Sequence, residues 1–173
     1  MRTVKRERFL IVLIGVLVVA LGYVIADSFR EKIVTVGDTA PDFTVSTEGG
    51  RTVTRSNFGG KLLVLNFWAT WCPPCIEELP SLDEFQRRLA ADGVVVLGVS
   101  VDRSETAYRQ FLQKARVSFL TARDPSASIS ASYGTFRYPE TYIIDGSGKV
   151  VLKHIGPQNW ADERFVREIR SLL

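Results

Sequence analysis

Two cysteines, Cys72 and Cys75, are the only ones in the chain of 173 residues. They belong to the run Trp71-Cys72-Pro73-Pro74-Cys75. A continuous apolar run over residues 62–68 comes shortly before them. A strand that leads into a Cys-x-x-Cys turn at the start of a helix is a setting for thiol–disulfide exchange. The spacing therefore predicts a redox-active pair.

The two cysteines have different predicted roles. Cys72 should lie at the N-terminus of a helix over residues 73–90, where the helix dipole and free backbone N–H groups favour a thiolate. We therefore expect Cys72 to be the exposed nucleophile and Cys75, one turn into the helix, to be the thiol that resolves the mixed disulfide. Both proline residues between them lack an N–H group, so the thiolate has fewer donors and the pair should act as a reductant.

Other uses of two cysteines fit the sequence less well. Zinc needs about four ligands, and the single histidine, His154, is distant in the sequence. Covalent haem attachment needs a histidine at the position of Ile76. A structural disulfide across two residues would constrain the chain very little. We expect no metal and no organic cofactor, since the chain also has no flavin or nicotinamide motif, and His154 is expected to be a surface or packing residue.

The elements around the pair follow from the hydrophobic pattern. The predicted strands are two in an N-terminal hairpin (43–45 and 51–54), two buried strands (62–67 and 94–99), and two in a later hairpin (141–144 and 150–152). The predicted helices cover 73–90, a segment capped by Ser104, a weak stretch over 126–133, and 162–173, with a short apolar patch at 119–120. This order predicts an α/β fold with a central mixed sheet and helices on both faces.

The N-terminus carries a predicted membrane anchor. Residues 9–26 are apolar and uncharged, which is long enough for a transmembrane helix, and the basic segment 1–8 before them should stay in the cytoplasm. A cleaved signal peptide is the alternative, because Val24-Ile25-Ala26 loosely matches a cleavage site. Residues 27–35 are predicted to be a tether and residues 36–173 the folded domain, located outside the cytoplasmic membrane.

The net charge of the chain comes from its N-terminal segment. Residues 1–8 hold four basic side chains and one acidic one, which accounts for the whole net charge of +3. The remainder of the chain is balanced and has no basic stripe with interleaved aromatic residues, so we expect no nucleic-acid partner.

Three separated motifs resemble those of the thioredoxin superfamily. They are the run from Asn66 to Cys75, the pair Tyr138-Pro139, and the opening segment from Val36 to Phe43. The chain is most similar to the membrane-anchored TlpA/ResA-like thiol–disulfide oxidoreductases of the redoxin branch, over residues 36–173. The resemblance implies a thioredoxin-like fold.

Glu78 is a candidate proton acceptor for Cys75. It follows Cys75 by three residues and lies on a neighbouring face of the predicted helix. An ordinary exposed glutamate fits the sequence equally well, but the resemblance favours a functional acid at this spacing. Asn66 stands where thioredoxins have a buried aspartate, and an asparagine cannot titrate. Glu78 is then the candidate carboxylate for this role.

The resemblance also implies a substrate-docking surface. The Tyr138–Pro139 bond is expected to be cis and to face the cysteines, whereas a trans proline at the start of an edge strand is the alternative. Trp71 should contact substrates and Trp68 should pack inside, while Arg137 lies beside Tyr138 in sequence. The predicted substrate-binding residues are Trp71, Pro73, Pro74, Tyr138 and Pro139.

The implied function is reduction of disulfides in extracytoplasmic proteins, with apocytochrome c as the expected substrate in cytochrome c maturation. A membrane thiol–disulfide donor would restore the dithiol. A thiol peroxidase is one alternative, because the opening around Gly37 is shared with peroxiredoxin-like proteins. Its Pro-x-x-x-Thr-x-x-Cys pattern fails here, since Ala69 and Thr70 precede Trp71. A redox-silent binding module is the other alternative.

Overall fold

The structure is a computed structural model that describes residues 2–28 and 33–173. The chain divides into two compact units, one ending at Lys32 and one beginning at Ile33. The first holds helix α1 (Arg2–Ser28), in which the side chains from Phe9 to Val24 are exposed. Among the described residues, no helix is long and apolar enough to cross a membrane.

The N-terminal assignments remain predictions. The membrane span over residues 9–26 and the cytoplasmic segment 1–8 are not shown by the structure. The predicted tether 27–35 falls in part on residues 29–32, which lie outside the described residues.

The second unit contains all the strands that the structure describes. They are β1 (Thr44–Ser46), β2 (Thr52–Thr54), β3 (Leu62–Trp68), β4 (Val94–Ser100), β5 (Leu120–Arg123), β6 (Glu140–Ile144) and β7 (Val150–Ile155). Its helices are α2 (Pro73–Leu89), α3 (Glu105–Ala115), α4 (Ser128–Ser132) and α5 (Glu163–Arg170), with 3₁₀ turns at Arg55–Phe58 and Ala90–Asp92.

Five of these strands form one mixed sheet in the order β5-β4-β3-β6-β7. The three strands β3, β4 and β5 run parallel, whereas β6 pairs antiparallel with both β3 and β7. The hairpin of β1 and β2 forms a separate two-stranded sheet. The predicted thioredoxin-like architecture, with a mixed sheet and an N-terminal hairpin, is confirmed.

Strand β3 lies at the centre and is buried along its whole length. Val64 and Trp68 face a core cluster that includes both cysteines and residues of α2 and α5. Leu65 and Phe67 face a second cluster that includes the β1–β2 hairpin and residues of α4. Because both faces are covered, the strand reads as a continuous apolar run. The chain that leads into the cysteine pair is therefore held from both sides.

One glycine makes room for the aromatic residue that ends β3. A Cβ atom at Gly98 would lie 2.9 Å from the ring of Phe119 and 3.1 Å from Nε1 of Trp68. Any larger side chain would displace one of these rings, so glycine at this position lets Trp68 pack in the core.

Two elements differ from the sequence prediction. The apolar patch at 119–120 leads into the edge strand β5, which the short pattern did not predict. The weak helical stretch over 126–133 is reduced to the five residues of α4. Both elements are short, and few of their side chains are apolar, so hydrophobic periodicity carries little signal there.

Candidate active site

Cys72 and Cys75 form a disulfide at the start of α2, with their Cα atoms 5.3 Å apart. Cys72 is the N-cap residue of the helix, as predicted, and Cys75 lies in its first turn. The expected exposure of Cys72 is wrong for this disulfide form. Only 6% of Cys72 is exposed, because its sulfur is bonded to the fully buried Cys75 and both belong to the core cluster. Cys72 is still the more accessible of the two.

The backbone around the helix start offers few donors to the Cys72 sulfur. Pro73 and Pro74 occupy the first two helical positions and have no N–H group. The next two N–H groups, those of Cys75 and Ile76, donate to the carbonyl oxygen of Cys72 over 3.0 and 3.2 Å. The N–H groups that a helix start normally leaves free are those of the N-cap residue and the first three helical residues, here Cys72, Pro73, Pro74 and Cys75. The two prolines have none, the N–H of Cys72 donates to the carbonyl oxygen of Ala69 over 3.2 Å, and that of Cys75 is bonded as described, so none of the four is free.

A buried aspartate holds the turn before Cys72. Both Oδ atoms of Asp102 accept hydrogen bonds from Thr70, one from its backbone N–H (2.8 Å) and one from its hydroxyl (2.7 Å). The hydroxyl of Ser100 donates to the same carboxylate over 2.6 Å. Asp102 lies two residues after the end of β4, whose parallel neighbour β3 leads into the turn. This contact was not predicted, and a polar residue near the end of a parallel strand is the only signal for it in the sequence.

Glu78 is buried, with 3% of its surface exposed, so the interpretation as an ordinary exposed glutamate is wrong. Its Oε1 accepts a hydrogen bond from Nδ2 of Asn66 over 2.8 Å. Its Oε2 accepts one from the backbone N–H of Gln158 over 3.1 Å and one from the indole N–H of Trp160 over 3.2 Å. Burial raises the pKa of Glu78, and the three hydrogen bonds oppose this shift only in part.

Asn66 links Glu78 to the centre of the sheet. It lies on β3, and its Nδ2 also donates to the hydroxyl of Thr141 on β6 over 2.9 Å. Its Oδ1 is buried and has no hydrogen-bond partner among the described residues. The contact between Asn66 and Glu78 joins the candidate proton acceptor to a residue that was not itself a candidate, because asparagine cannot titrate. The contacts with Gln158 and Trp160 were not predicted, because these residues follow Glu78 by about eighty positions.

The Tyr138–Pro139 peptide bond is cis, so the trans alternative is wrong. Pro139 is buried, and its carbonyl oxygen accepts a hydrogen bond from Gly156 over 2.8 Å. The ring of Tyr138 meets that of Trp71 edge to face, with centroids 6.0 Å apart. Trp71 is 63% exposed, whereas Trp68 is fully buried. The structure thus brings the cis-proline segment against the residue that precedes Cys72.

Exposed residues flank the Trp71–Tyr138 contact in the sequence on both sides, after Trp71 and before Tyr138. Pro73 and Pro74 are exposed on the helix side. On the other side, the exposed Phe136 has the guanidinium carbon of Arg137 5.9 Å from its ring centroid. The Arg137 guanidinium therefore lies over the Phe136 ring, in a cation–π arrangement.

Comparison with known proteins places this arrangement in a family. The model of the AhpC/TSA family matches residues 36–153. The chain is 37% identical over 150 residues to the thiol-disulfide oxidoreductase ResA of Geobacillus thermodenitrificans, which covers 84% of this chain and 86% of the relative. It is 32% identical to ResA of Bacillus subtilis, covering 85% of each chain. The chain belongs to the ResA/TlpA-like thiol–disulfide oxidoreductases. It is therefore an oxidoreductase of the thioredoxin superfamily.

Solved structures agree with this family. A Chlorobium tepidum protein assigned as the thiol:disulfide interchange protein DsbE superposes with a TM-score of 0.75 at 32% identity, covering 80% of this chain and 98% of that one. The thioredoxin domain of a thiol-disulfide oxidoreductase from Bacteroides vulgatus superposes with a TM-score of 0.69 at 25% identity, covering 77% and 99%.

This ResA/TlpA-like chain has a buried ion pair beside the cis-proline. Oε1 of Glu140, the residue after Pro139, lies 2.8 Å from Nζ of Lys153 and accepts a hydrogen bond from the hydroxyl of Tyr142 over 2.6 Å. Lys153 also donates to the carbonyl oxygen of Val34 over 3.0 Å. The pair fixes the start of β6 to β7. It was not predicted, because it depends on the β6–β7 register.

His154 of this ResA/TlpA-like protein is a packing residue. Its ring contacts those of Trp160 and Phe165, with centroid distances of 5.9 and 5.2 Å. Burial lowers its pKa, which favours the neutral form. Within the described residues, no group of three or more His, Cys, Asp or Glu side chains could hold a metal ion.

Glu78 lines an open cleft of about 310 Å³, which gives its carboxylate a route to solvent. The residues that line it are Glu77, Glu78, Ser81, Pro157, Gln158 and Asn159. A proton held by Glu78 can therefore exchange with water without passing through the apolar core around Cys75.

Proposed function

We propose that this oxidoreductase works as a reductant of disulfides in other proteins. The observation that carries the proposal is the absence of a free N–H group for the Cys72 sulfur at the start of α2. Fewer donors give a less stabilised thiolate and a higher thiol pKa. A dithiol form that is less stabilised has a lower reduction potential, so electrons flow from it to substrates.

The reaction begins with attack on the substrate. The Cys72 thiolate attacks one sulfur of a substrate disulfide, forms a Cys72–substrate disulfide, and releases the other substrate sulfur as a thiolate that takes up a proton. The Cys75 thiol then gives its proton to Glu78, and the Cys75 thiolate attacks the Cys72 sulfur. The Cys72–Cys75 disulfide forms and the second substrate thiolate leaves. Two electrons pass from the dithiol to the substrate, and a further dithiol must restore the pair.

Glu78 supplies the proton acceptor in the resolving step. It lies one helical turn after Cys75 on α2, and both are buried. Its pKa is raised by burial, which brings it nearer to the pKa of the thiol it accepts from. The cleft lined by Glu77 and Gln158 then lets the proton pass to solvent.

Substrates dock on the exposed surface around Trp71. The ring contact between Trp71 and Tyr138 places the cis-proline segment beside the redox pair. An extended substrate chain pairs with the backbone of Tyr138 before Pro139, and its side chains contact Trp71 and the exposed rings of Pro73 and Pro74. We propose these five residues as the substrate-binding surface.

The proposed location is the outer face of the cytoplasmic membrane, with residues 9–26 as an uncleaved anchor. The apolar stretch and the basic residues before it support this placement. Apocytochrome c is the proposed substrate, as the family resemblance implies. A membrane thiol–disulfide protein is the proposed electron donor, because the chain itself has no flavin or nicotinamide motif.

Insulin reduction by the purified full-length protein, with dithiothreitol as electron donor, tests the activity. We expect turnover by the wild type and none above the dithiothreitol background by Cys72→Ser. After reduction and removal of dithiothreitol, Cys75→Ser mixed with insulin should accumulate a mixed disulfide on Cys72, which mass spectrometry detects, whereas Cys72→Ser should trap nothing. Equal insulin reduction by wild type and Cys72→Ser would support a redox-silent binding module instead.

The AhpC/TSA match keeps thiol peroxidase as a second candidate. Peroxide reduction would require the Cys72 thiolate to attack a peroxide oxygen, which breaks the O–O bond, oxidises Cys72 to a sulfenic acid and releases water or an alcohol. Cys75 would then form the disulfide with Cys72 and release water. Peroxide consumption coupled to a dithiol measures this directly. We expect a rate no higher than that of Cys72→Ser, whereas a rate far above the insulin turnover would assign the chain to the peroxidases.

A further inference from the structure

The Glu78 carboxylate accepts three hydrogen bonds, and all three come from N–H groups. Oε1 faces the Nδ2 of Asn66, and Oε2 faces the N–H groups of Gln158 and Trp160. This set suits the ionised carboxylate, which only accepts hydrogen bonds. A protonated carboxyl carries one O–H donor, and none of the three groups offers it an acceptor in its present orientation.

Only one partner has this capacity. The backbone N–H of Gln158 cannot accept, and the indole N–H of Trp160 is a donor only. A proton on Oε2 would therefore face two donors at once. Asn66 carries both a donor and an acceptor on its amide, and rotation of the amide by half a turn exchanges them. Among these three partners, only Asn66 can therefore accept from the O–H, with the proton on Oε1, the oxygen that faces it.

Two further features of Asn66 fit this exchange. Its Oδ1 is buried and unpartnered among the described residues, so rotation breaks no hydrogen bond at that atom. Its second Nδ2 contact is the hydroxyl of Thr141, which accepts now and can equally donate to Oδ1 after rotation. Each contact made by the ionised state therefore has a counterpart in the protonated state.

We propose that Asn66 is a positioning residue that follows the proton of Glu78. When Glu78 takes the proton of Cys75, the Asn66 amide turns, and Oδ1 accepts from the new O–H on Oε1. When the proton leaves through the cleft, the amide turns back and Nδ2 donates again. The inference rests on the proposed role of Glu78 as proton acceptor. It explains why a non-titrating residue can occupy this position: Asn66 does not carry the proton but serves both states of the residue that does.

The surroundings of Glu78 include two other titratable groups. Glu77 lines the same cleft, and His154 on β7 contacts the ring of Trp160. Neither makes a hydrogen bond to Glu78, so neither is a direct partner of its carboxylate.

Carboxyl and side-chain amide NMR on the oxidised full-length protein tests the proposal without any substrate. In the wild type, the Nδ2 resonances of Asn66 should shift with the same midpoint pH as the carboxyl carbon of Glu78. The amide of Asn57, whose oxygen accepts hydrogen bonds from Thr54, should not follow. In Glu78→Gln the shift of Asn66 should vanish. Asn66 resonances that stay constant through the Glu78 titration would overturn the proposal.

Two variants separate a switching partner from a simple donor. Trp160→Phe removes a partner of the ionised form alone, so the pKa of Glu78 should rise by about one unit. Asn66→Leu removes a partner of both forms, so the rise should be clearly smaller. If the pKa of Glu78 rises as much in Asn66→Leu as in Trp160→Phe, or more, then Asn66 acts only as a donor and the proposal is wrong. Neither result depends on turnover, so failure here is distinguishable from failure of Glu78 in catalysis.

Discussion

The indole N–H of Trp160 donates to Oε2 of Glu78 over 3.2 Å. The two residues are 82 positions apart, and the contact joins the loop before α5 to the helix that begins at the redox pair. Asn66 on β3 and the loop that holds Gln158 and Trp160 thus orient one buried carboxylate on α2. The tertiary fold therefore builds this site, and variants that each remove one contact can test it.

Glu78→Gln should slow resolution of the mixed disulfide about a hundredfold, because general-base catalysis contributes at least that much. Initial attack by Cys72 should change far less, since Glu78 acts on Cys75. Stopped-flow mixing of the reduced protein with a peptide disulfide separates the two steps, and Glu77→Gln is the matched control. Equal effects on both steps, or no effect, would reduce Glu78 to a structural acid.

The stability of the protein should depend on pH through Glu78. Burial raises its pKa above the ordinary value of 4.5, so the folded state holds this proton more tightly than the unfolded state. The free energy of unfolding should therefore fall as pH rises from about 4.5 to the raised pKa. Urea titrations across this range should show the fall in the wild type, and Glu78→Gln should lack that component. Parallel pH profiles for the two proteins would contradict the raised pKa.

Thr70→Val should loosen the turn before Cys72. The substitution keeps the shape but removes the hydroxyl that donates to Asp102, so a buried carboxylate oxygen loses its partner. We expect a loss of about 1–3 kcal/mol in the free energy of unfolding. Thr44→Val, at an exposed strand position, should change it by less than about 0.5 kcal/mol. Indistinguishable urea midpoints for the two variants would argue against this support.

Trp71→Ala should weaken protein substrates selectively. An exposed aromatic residue at the centre of a binding surface contributes more than about 1 kcal/mol, so KM for a protein disulfide should rise about five- to tenfold. The rate with oxidised glutathione, which is too small to need the surface, should stay the same. Trp71→Phe should restore most of the affinity. An equal loss for both substrates would instead indicate damage to the redox pair.

Lys153→Met should destabilise the fold by about 3–5 kcal/mol, because it leaves the buried carboxylate of Glu140 without its cation. Adding Glu140→Gln should recover part of this loss, since the uncompensated charge is then gone. Lys149→Met, at an exposed position, is the control. Thermal unfolding measures all four proteins, and a double variant less stable than Lys153→Met would contradict the charge argument.

The parts of the fold that local pattern encodes were predicted correctly. The continuous apolar run of β3 indicates a strand buried on both faces, and the Cys-x-x-Cys turn indicates the helix start at Pro73. Ser104 was predicted as a helix cap, and its hydroxyl accepts from the N–H of Ala107. Each of these depends on neighbours within one or two turns.

The remaining features depend on distant pairing. Trp160 meets Glu78, and Glu140 meets Lys153, only once the sheet register and the loop before α5 are known. No local spacing of residues in the sequence indicates those contacts. The prediction that Cys72 is exposed was wrong for a related reason. Its position at the helix start was correct, but Cys72 is bonded to Cys75 and packs with it in the core cluster.

The reduction potential of the Cys72–Cys75 pair tests the central claim most directly. Equilibration of the full-length protein with dithiothreitol or glutathione buffers, followed by thiol alkylation and mass spectrometry, gives the value. A pair whose thiolate lacks backbone donors should be reducing, below about −200 mV and near the range of thioredoxin. A value near −120 mV, typical of strong oxidants, would contradict the proposed direction of electron flow.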